Sequence, residues 1–396
     1  MRVYFLSVVL IVGSAVPLAA YAAAPSAALE VSGWLPYWHA ASSTSDALQH
    51  LNQLTEINPF GYSVTPSGDL YDPMGITKPD WAGLIAAAKA KKVRVIPTVM
   101  WSNADAIDQI LSATTTRIKL ETEIADIAKA DNFDGIDIDF ENKLARDKDY
   151  FSTFLKGLYA RMGNKWVMCS IEPRMPLADR YLDPSKAPAD ATDYANDYVA
   201  LNKYCDRVRL MTYDQGYIDV ALDATAKGPY VPVADPLWVE RIVDLAATTI
   251  SKKKIEIGIA TYGYEFSLTP LTQTFTYKLL WAFDSDYAAQ LESQYGTTPV
   301  RNSAGELSFT YVPNAPPMRP ASADPLTYIP PVTQSPSALQ ALTPATEDIL
   351  WWSDAHAIAD KIALATKLGI RGVAIFKLDG GEDPALWSVL PAHPAR

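Results

Sequence analysis

The sequence predicts an α/β fold, a closed (β/α)8 TIM barrel with a small α+β insertion subdomain, and three observations point there. From residue 32 onward, short β-rich runs alternate with longer amphipathic stretches, and eight such runs can be counted. About 110 residues separate the seventh run from the eighth, far more than one βα connection needs. The length, 396 residues, suits one barrel enlarged by an insertion.

The strands are expected at Ser32–Tyr37, Ile57–Tyr62, Val93–Val99, Gly135–Phe140, Trp166–Ile171, Val208–Tyr213, Ile255–Thr261 and Gly372–Phe376. Between them, Asp80–Lys91, Thr116–Ala130, Asp149–Met162, Ala189–Lys203, Pro236–Ile250 and Asp354–Leu368 carry apolar residues at spacings of three and four, so each can lay one helical face on a sheet. Gly369 stands where a left-handed cap ends the last helix. The barrel is therefore assigned to residues 30–264 and 349–392, and the insertion to 265–348. The insertion reads as a helix over Asp286–Tyr295, then a hairpin turning at Asn302-Ser303-Ala304-Gly305 into Glu306–Val312. Nine prolines between Pro313 and Pro344 argue for an irregular loop after it.

At the N-terminus, Met1-Arg2 precedes an apolar run from Val3 to Ala20 that ends in Ala20-Tyr21-Ala22, the layout of a secretory signal cleaved after residue 22. An exported protein, periplasmic or extracellular and free of the membrane once cleaved, is expected. The formal charge of -11, from 34 basic and 45 acidic residues, argues against general affinity for nucleic acid or anionic lipid. Cys169 and Cys205 could pair in an oxidising compartment, but both lie beside or inside buried strands, and two buried free thiols are the expectation.

The chemistry is concentrated in Asp134-Gly135-Ile136-Asp137-Ile138-Asp139-Phe140-Glu141. Side chains alternate along a strand, so Asp137, Asp139 and Glu141 share one side while Ile136, Ile138 and Phe140 share the other. In a barrel the apolar set faces the helices and the acids point inward and towards the C-terminal mouth. Three carboxylates ~6.6 Å apart are expensive to ionise together. Coupled acids with separated pKa values are how a site obtains a proton donor and an anion near neutral pH.

Asp134, Asp137, Asp139 and Glu141 fit the D-x-x-D-x-D-x-E signature of glycoside hydrolase family 18, the chitinase-like (β/α)8 enzymes, which the chain resembles. Met211-Thr212-Tyr213-Asp214 is similar to the family's M-x-Y-D motif. The stretches Ile349–Asp354, Gly369–Phe376 and Glu382-Asp383-Pro384 resemble the last helix and strand of bacterial members, and the insertion resembles the α+β subdomain some members carry. The resemblance implies hydrolysis of β-1,4 bonds next to N-acetylglucosamine with retention, the substrate's own acetamido oxygen serving as nucleophile. It implies Glu141 as the acid and later the base, Asp139 as the holder of the acetamido N–H, Asp137 sharing a proton or hydrogen bond with Asp139, and Tyr213 donating to the acetamido carbonyl. Asp214 and Met211 would contact the sugar. Asp134, at the foot of the strand, is read as structural.

Strand-end aromatics are the candidate sugar platforms: Trp34, Tyr37 and Trp38, then Trp101, then Tyr262 and Tyr264. Phe376 stands where the family usually has tryptophan, and Val99-Met100-Trp101-Ser102-Asn103 replaces the common S-x-G-G pattern. Glu172 and Arg174 are read as an ordinary rim salt bridge. The four histidines are scattered and no metal-ligating cluster is spelled out, so no metal and no organic cofactor is expected. The expected partner is an N-acetylglucosamine-containing polysaccharide or oligosaccharide, chitin or peptidoglycan glycan, and the protein itself a monomer. The rivals are a sugar-binding protein that has lost turnover and a wall-associated structural protein. Presence of Glu141 beside Asp137, Asp139 and Tyr213 sets the enzyme reading ahead of both.

Overall fold

The computed structural model describes residues 28–271, 275–314 and 347–391. The expected signal segment 1–22 and nearly all of the proline-rich segment lie outside these. The strands in chain order are β1 (Glu30–Leu35), β2 (Glu56–Pro59), β3 (Tyr62–Val64), β4 (Leu70–Tyr71), β5 (Arg94–Val95), β6 (Thr98–Trp101), β7 (Gly135–Phe140) and β8 (Trp166–Ile171). They continue as β9 (Arg207–Leu210), β10 (Ile255–Ala260), β11 (Gly263–Pro270), β12 (Phe275–Phe283), β13 (Val300–Arg301), β14 (Leu307–Tyr311), β15 (Glu347–Trp352) and β16 (Gly372–Phe376).

The barrel is an eight-membered ring of parallel strands in which two members are broken. β2 resumes as β3 beyond Phe60-Gly61, and β5 resumes as β6 beyond Ile96-Pro97, where proline has no N–H for the ladder. β2 pairs with β5 and β3 with β6, the chain of partners runs on through β7, β8, β9, β10 and β16, and β16 closes the ring on β1. The sixth member ends at Leu210, short of the expected Tyr213, because Met211–Tyr213 leaves the sheet and Asp214 takes a left-handed φ of 59°. Ala189–Lys203 is helical only over Tyr198–Tyr204, capped by Asp197, whose carboxylate accepts from the Val199 amide. A helix over Ala104–Ser112, capped in the same way by Asn103, was not expected.

Between strands and helices lies the apolar core. Phe140, on the outer side of β7, stacks on Phe154 at 5.3 Å. Inside the ring the filling is ionic. Arg209, fully buried, bonds Glu256 at 3.0 Å, Asp137 at 3.2 Å, Asn58 at 3.0 Å and also Glu56. One layer nearer the N-terminal face, Glu30 takes Arg207 at 2.5 Å, Arg371 at 2.6 Å and Arg94 at 3.2 Å. Burial opposes ionisation of Glu30, yet these guanidinium groups hold its carboxyl down at about 2.

Cys169 and Cys205 form a disulfide, their Cα atoms 6.1 Å apart, which corrects the expectation of two free thiols. Cys205 ends the Tyr198–Tyr204 helix, and that helix packs over the outer face of β8 where Cys169 points; burial favoured neither state by itself. The bridge closes a separation of 36 residues, so on chain-entropy grounds its loss costs about 4 kcal/mol. Urea unfolding of the Cys205→Ser variant should show a midpoint lowered accordingly, and an unchanged midpoint would mean the cross-link does not constrain the unfolded chain.

The insertion is a five-stranded antiparallel sheet in the order β12-β11-β15-β14-β13, packed with the helix Ser285–Tyr295 around Phe283, Leu291, Phe309 and Trp352. The expected limits, 265 and 348, fall inside β11 and β15, which carry the sheet out to Gly263 and Trp352. Buried Glu306 fastens it to the barrel by accepting from the amides of Val233 at 2.8 Å and Ala234 at 3.0 Å, from Lys361 at 3.0 Å and from Trp351 at 2.7 Å.

Candidate active site

The acidic strand supplies one side chain to the barrel interior and two to its mouth. Asp137 is fully buried and its carboxylate receives four donors: Trp34 Nε1 at 3.0 Å, Thr98 Oγ1 at 3.0 Å, Ser170 Oγ at 2.9 Å and Arg209 Nη1 at 3.2 Å. The expected hydrogen bond between Asp137 and Asp139 is not among these. With its oxygens occupied from β1, β6, β8 and β9, Asp137 acts on Asp139 as a charge.

Asp139 and Glu141 face a cavity of about 390 Å³ at the C-terminal mouth. Burial, reinforced by the charges of Glu141, Asp137 and Glu172, raises the Asp139 carboxyl well above the usual carboxylate range, which favours its neutral form. Its Oδ1 is enclosed and receives no donor among the described residues. Glu141, the first residue beyond β7, is fixed through its amide to the Trp101 carbonyl at 2.8 Å. Burial and the charge of Glu172 push its carboxyl up to about 7, against the pull of Lys143 and with a further push from Asp214.

Glu172 lines this cavity, and Arg174 is not its partner. Its carboxylate accepts from the Asn142 amide at 2.9 Å and Asn196 at 2.8 Å, with Lys143 at 3.5 Å. Burial would raise it, but Lys143 and these donors outweigh that and keep it ionised below its ordinary range. Arg174 turns away and lies over the rings of Tyr194 and Tyr198.

Tyr213 stacks on Phe376, centroids 5.5 Å apart, and Trp34 meets Phe376 edge-on at 5.8 Å. Burial and the charges of Asp139, Asp214 and Glu141 hold the Tyr213 hydroxyl far above 10, so it is a donor. Asp214 Oδ1 takes the hydroxyls of Tyr262 and Tyr264, each at 2.6 Å. Met211, Tyr213, Asp214, Tyr262, Phe376, Trp34 and Trp38 all line the cavity, whereas Tyr264 only braces Asp214 from behind.

Two predicted platforms lie elsewhere. Trp101 is in register with Phe140 and, like it, faces the helix layer, where the two rings meet at 5.3 Å; Met100 and Ser102, on the opposite parity, reach the cavity. Tyr37 packs edge-on against Trp38 at 5.1 Å, and Trp38 is the one that lines the wall. Asp134 accepts from the Val95 amide at 2.8 Å at the foot of the barrel. The sequence reading missed Lys377 and Asp284, an ion pair at 2.9 Å in the cavity wall to which Asp379 adds a second carboxylate. Asp284 belongs to the insertion, so that subdomain supplies part of the wall. Nothing local in the sequence signals it. Among the described residues no group of three or more His, Cys, Asp and Glu side chains is placed to hold a metal ion, and no helix is long and apolar enough to cross a membrane.

The model for glycosyl hydrolases family 18 matches residues 34–381. The uncharacterized glycosylase YvbX of Bacillus subtilis is 21% identical over 313 residues, 76% of either chain. The cortical fragment-lytic enzyme of the same organism is 25% identical over 285 residues, 71% of this chain but only 54% of the relative. A chitinase crystal structure from Chromobacterium violaceum superposes with a TM-score of 0.66 at 19% identity, covering 93% of this chain and all of the other. With a match running from β1 to just beyond β16, the chain belongs to glycosyl hydrolases family 18 and is a glycoside hydrolase.

Proposed function

We propose that the protein is an exported hydrolase of β-1,4 linkages next to N-acetylglucosamine, in chitin, chitooligosaccharides or peptidoglycan glycan, working with retention and with the substrate acetamido group as nucleophile. The observation that carries this reading is the pairing of the unoccupied, buried Asp139 Oδ1 with the protonated Tyr213 hydroxyl on one cavity wall. An acceptor and a donor side by side are what an amide's N–H and C=O require.

The carboxyl inventory supports the same route. Asp139 is disfavoured as an anion, Asp214 is occupied by two tyrosine hydroxyls, and Glu172 is held by three donors. None is a free anion suited to attack C1, which leaves that task to the acetamido oxygen. Tyr213 then aligns the carbonyl, Asp139 accepts the amide N–H on its open Oδ1, and Glu141 gives its proton to the departing oxygen. In the second half Glu141 takes a proton from water, which attacks C1 from the face the leaving group vacated and breaks the bond between C1 and the acetamido oxygen, restoring the neutral acetamido group. Configuration is retained.

The first half needs Glu141 protonated, and its carboxyl titrates at about 7. Hydrolysis should therefore be supported below that value and fall about tenfold per unit above it. Release of reducing ends from N-acetylchitooligosaccharides and from purified peptidoglycan, followed between pH 4 and 9, tests this, with the first-formed anomer read by NMR. A rate still rising at pH 9, or an inverted anomer, would remove the proposed mechanism.

A further inference from the structure

A second cavity, of about 410 Å³, opens beside the first and is lined by Lys148, Arg174, Leu177, Tyr194, Tyr198 and Thr248 among others. The two are joined through the chain, since Pro173 lines the first and Arg174, the next residue, lines the second. Arg174 carries its guanidinium 3.9 Å from the ring centre of Tyr198 and 4.2 Å from that of Tyr194. Among the described residues it makes no ion pair, and its Nε is enclosed without an acceptor. Asp197 shares the cavity wall, but its carboxylate is engaged as a helix cap on the Val199 amide at 2.9 Å. The Tyr198 hydroxyl, pushed up to about 12 by burial, keeps its proton as a further donor.

Asp197 acts on this partly desolvated guanidinium through its charge but makes no ion pair with it, so an anion that bonds it directly recovers part of the desolvation cost. The fork of N–H donors suits a carboxylate, which it can hold through two parallel bonds. The first cavity offers such a group nothing. Among the described residues its wall carries Asp139, Glu141, Glu172, Asp214 and Asp284, and the cation that lines it, Lys377, is held between Asp284 and Asp379.

Taking the glycan-hydrolase reading as its basis, we propose that the Arg174 cavity binds a carboxylate carried by the glycan itself, on a sugar beyond the one that enters the first cavity. A lactyl ether on the sugar, or the peptide built on it, supplies such a carboxylate, and chitin does not. The natural polymer is then a carboxylated N-acetylglucosamine-containing glycan, with Arg174 setting specificity and taking no part in bond cleavage.

The test compares peptidoglycan glycan strands bearing free carboxyls with the same strands after carbodiimide amidation. For the parent protein KM should be about tenfold lower on the free-carboxyl strands, a preference that weakens in high salt. In Arg174→Gln the ratio of the two KM values should collapse towards one, and Arg174→Lys should restore part of it. Equal KM values for both strands in the parent, or a ratio unmoved by Arg174→Gln, would overturn the proposal. So would acetate alone competing as well as the strand, which would mark a site for small free anions. If the parent cleaves neither strand, the hydrolase reading is what fails; calorimetric binding of both strands to the parent and to Arg174→Gln then tests the carboxylate site without turnover.

Discussion

Glu141→Gln is expected to lower turnover by a factor of about 10²–10⁴, the range spanned by general acid–base catalysis. The amide keeps the size of the side chain and the amide-to-Trp101 anchor of the backbone, but it cannot give up a proton near pH 7. The folded state should not suffer. The Glu141 carboxyl lies at about 7 against an ordinary 4.5, so folding holds a proton that the unfolded chain releases, and this group costs stability increasingly as pH rises from 4.5 through 7. The neutral amide removes that cost, and the variant should be as stable as the parent at pH 5 and at least as stable at pH 8. Mass spectrometry of products from N-acetylchitooligosaccharides and peptidoglycan, with thermal melts at both pH values, checks the two halves together. Turnover within tenfold of the parent would sink the assignment of Glu141 as the acid; a variant that melts early would make the loss uninformative, which the stability argument says will not occur.

The same outcome separates the enzyme from the sugar-binding rival. A binding protein built on this barrel would hold the oligosaccharide and release nothing, with or without Glu141. Loss of cleavage with retained binding in the variant is the pattern expected of a catalyst.

What was legible in the sequence was local and periodic. The alternation of Asp137, Asp139 and Glu141 with Ile136, Ile138 and Phe140 fixed both the inward face of β7 and the place of the acids, because parity along one strand is a short-range property. The same rule misled at Trp101. The strand was expected to stop at Val99, so the tryptophan was taken for a loop residue at the mouth, whereas β6 runs two residues further and parity sends the ring to the helices. Tyr213 and Asp214 were recognisable from their motif, but their supports were not: Tyr262 and Tyr264 reach Asp214 from 48 and 50 residues away. Distance in the chain also hid the disulfide and the Lys377–Asp284 pair, the latter spanning 93 positions. The insertion's helix and its second hairpin were visible, while β11 and β12 went unread, the register of β11 being set by pairing with the distant β15 and that of β12 by pairing with β11. The expected signal segment and the proline-rich stretch fall outside the described residues.

The largest effect on the fold is expected from Arg209→Met. This fully buried guanidinium is shared by Glu56, Glu256 and Asp137, reached across 153, 47 and 72 positions of chain; its removal takes from Asp137 its ion-pair partner and leaves Glu56 with Arg94 at 3.2 Å and Glu256 with Arg207 at 3.8 Å. Breaking a buried ion cluster on one side costs about 3–5 kcal/mol. Burial and neighbouring Glu56 already push Glu256 up to about 8 even with Arg209 present, so without the cation the acids are driven to hold protons that the unfolded chain would release. The penalty should thus be smallest near pH 4–5 and grow towards pH 8. Urea unfolding at both pH values checks the size and the sign together; a loss below about 1 kcal/mol at pH 8 would show that the interior carboxyls do not depend on Arg209. Activity should fall as well, through geometry. Arg209 holds Asp137 from below at 3.2 Å and lies under Trp34 at 5.0 Å, so it supports both one of the charges that raise Asp139 and one edge of the sugar platform. Arg209→Lys keeps the charge without the fork, and should recover part of the stability while leaving at least one of the three carboxylates short of a donor. The ionic filling of this barrel is in that sense part of the active site, because it sets the position of Asp137, whose charge adds to burial and Glu141 in raising Asp139.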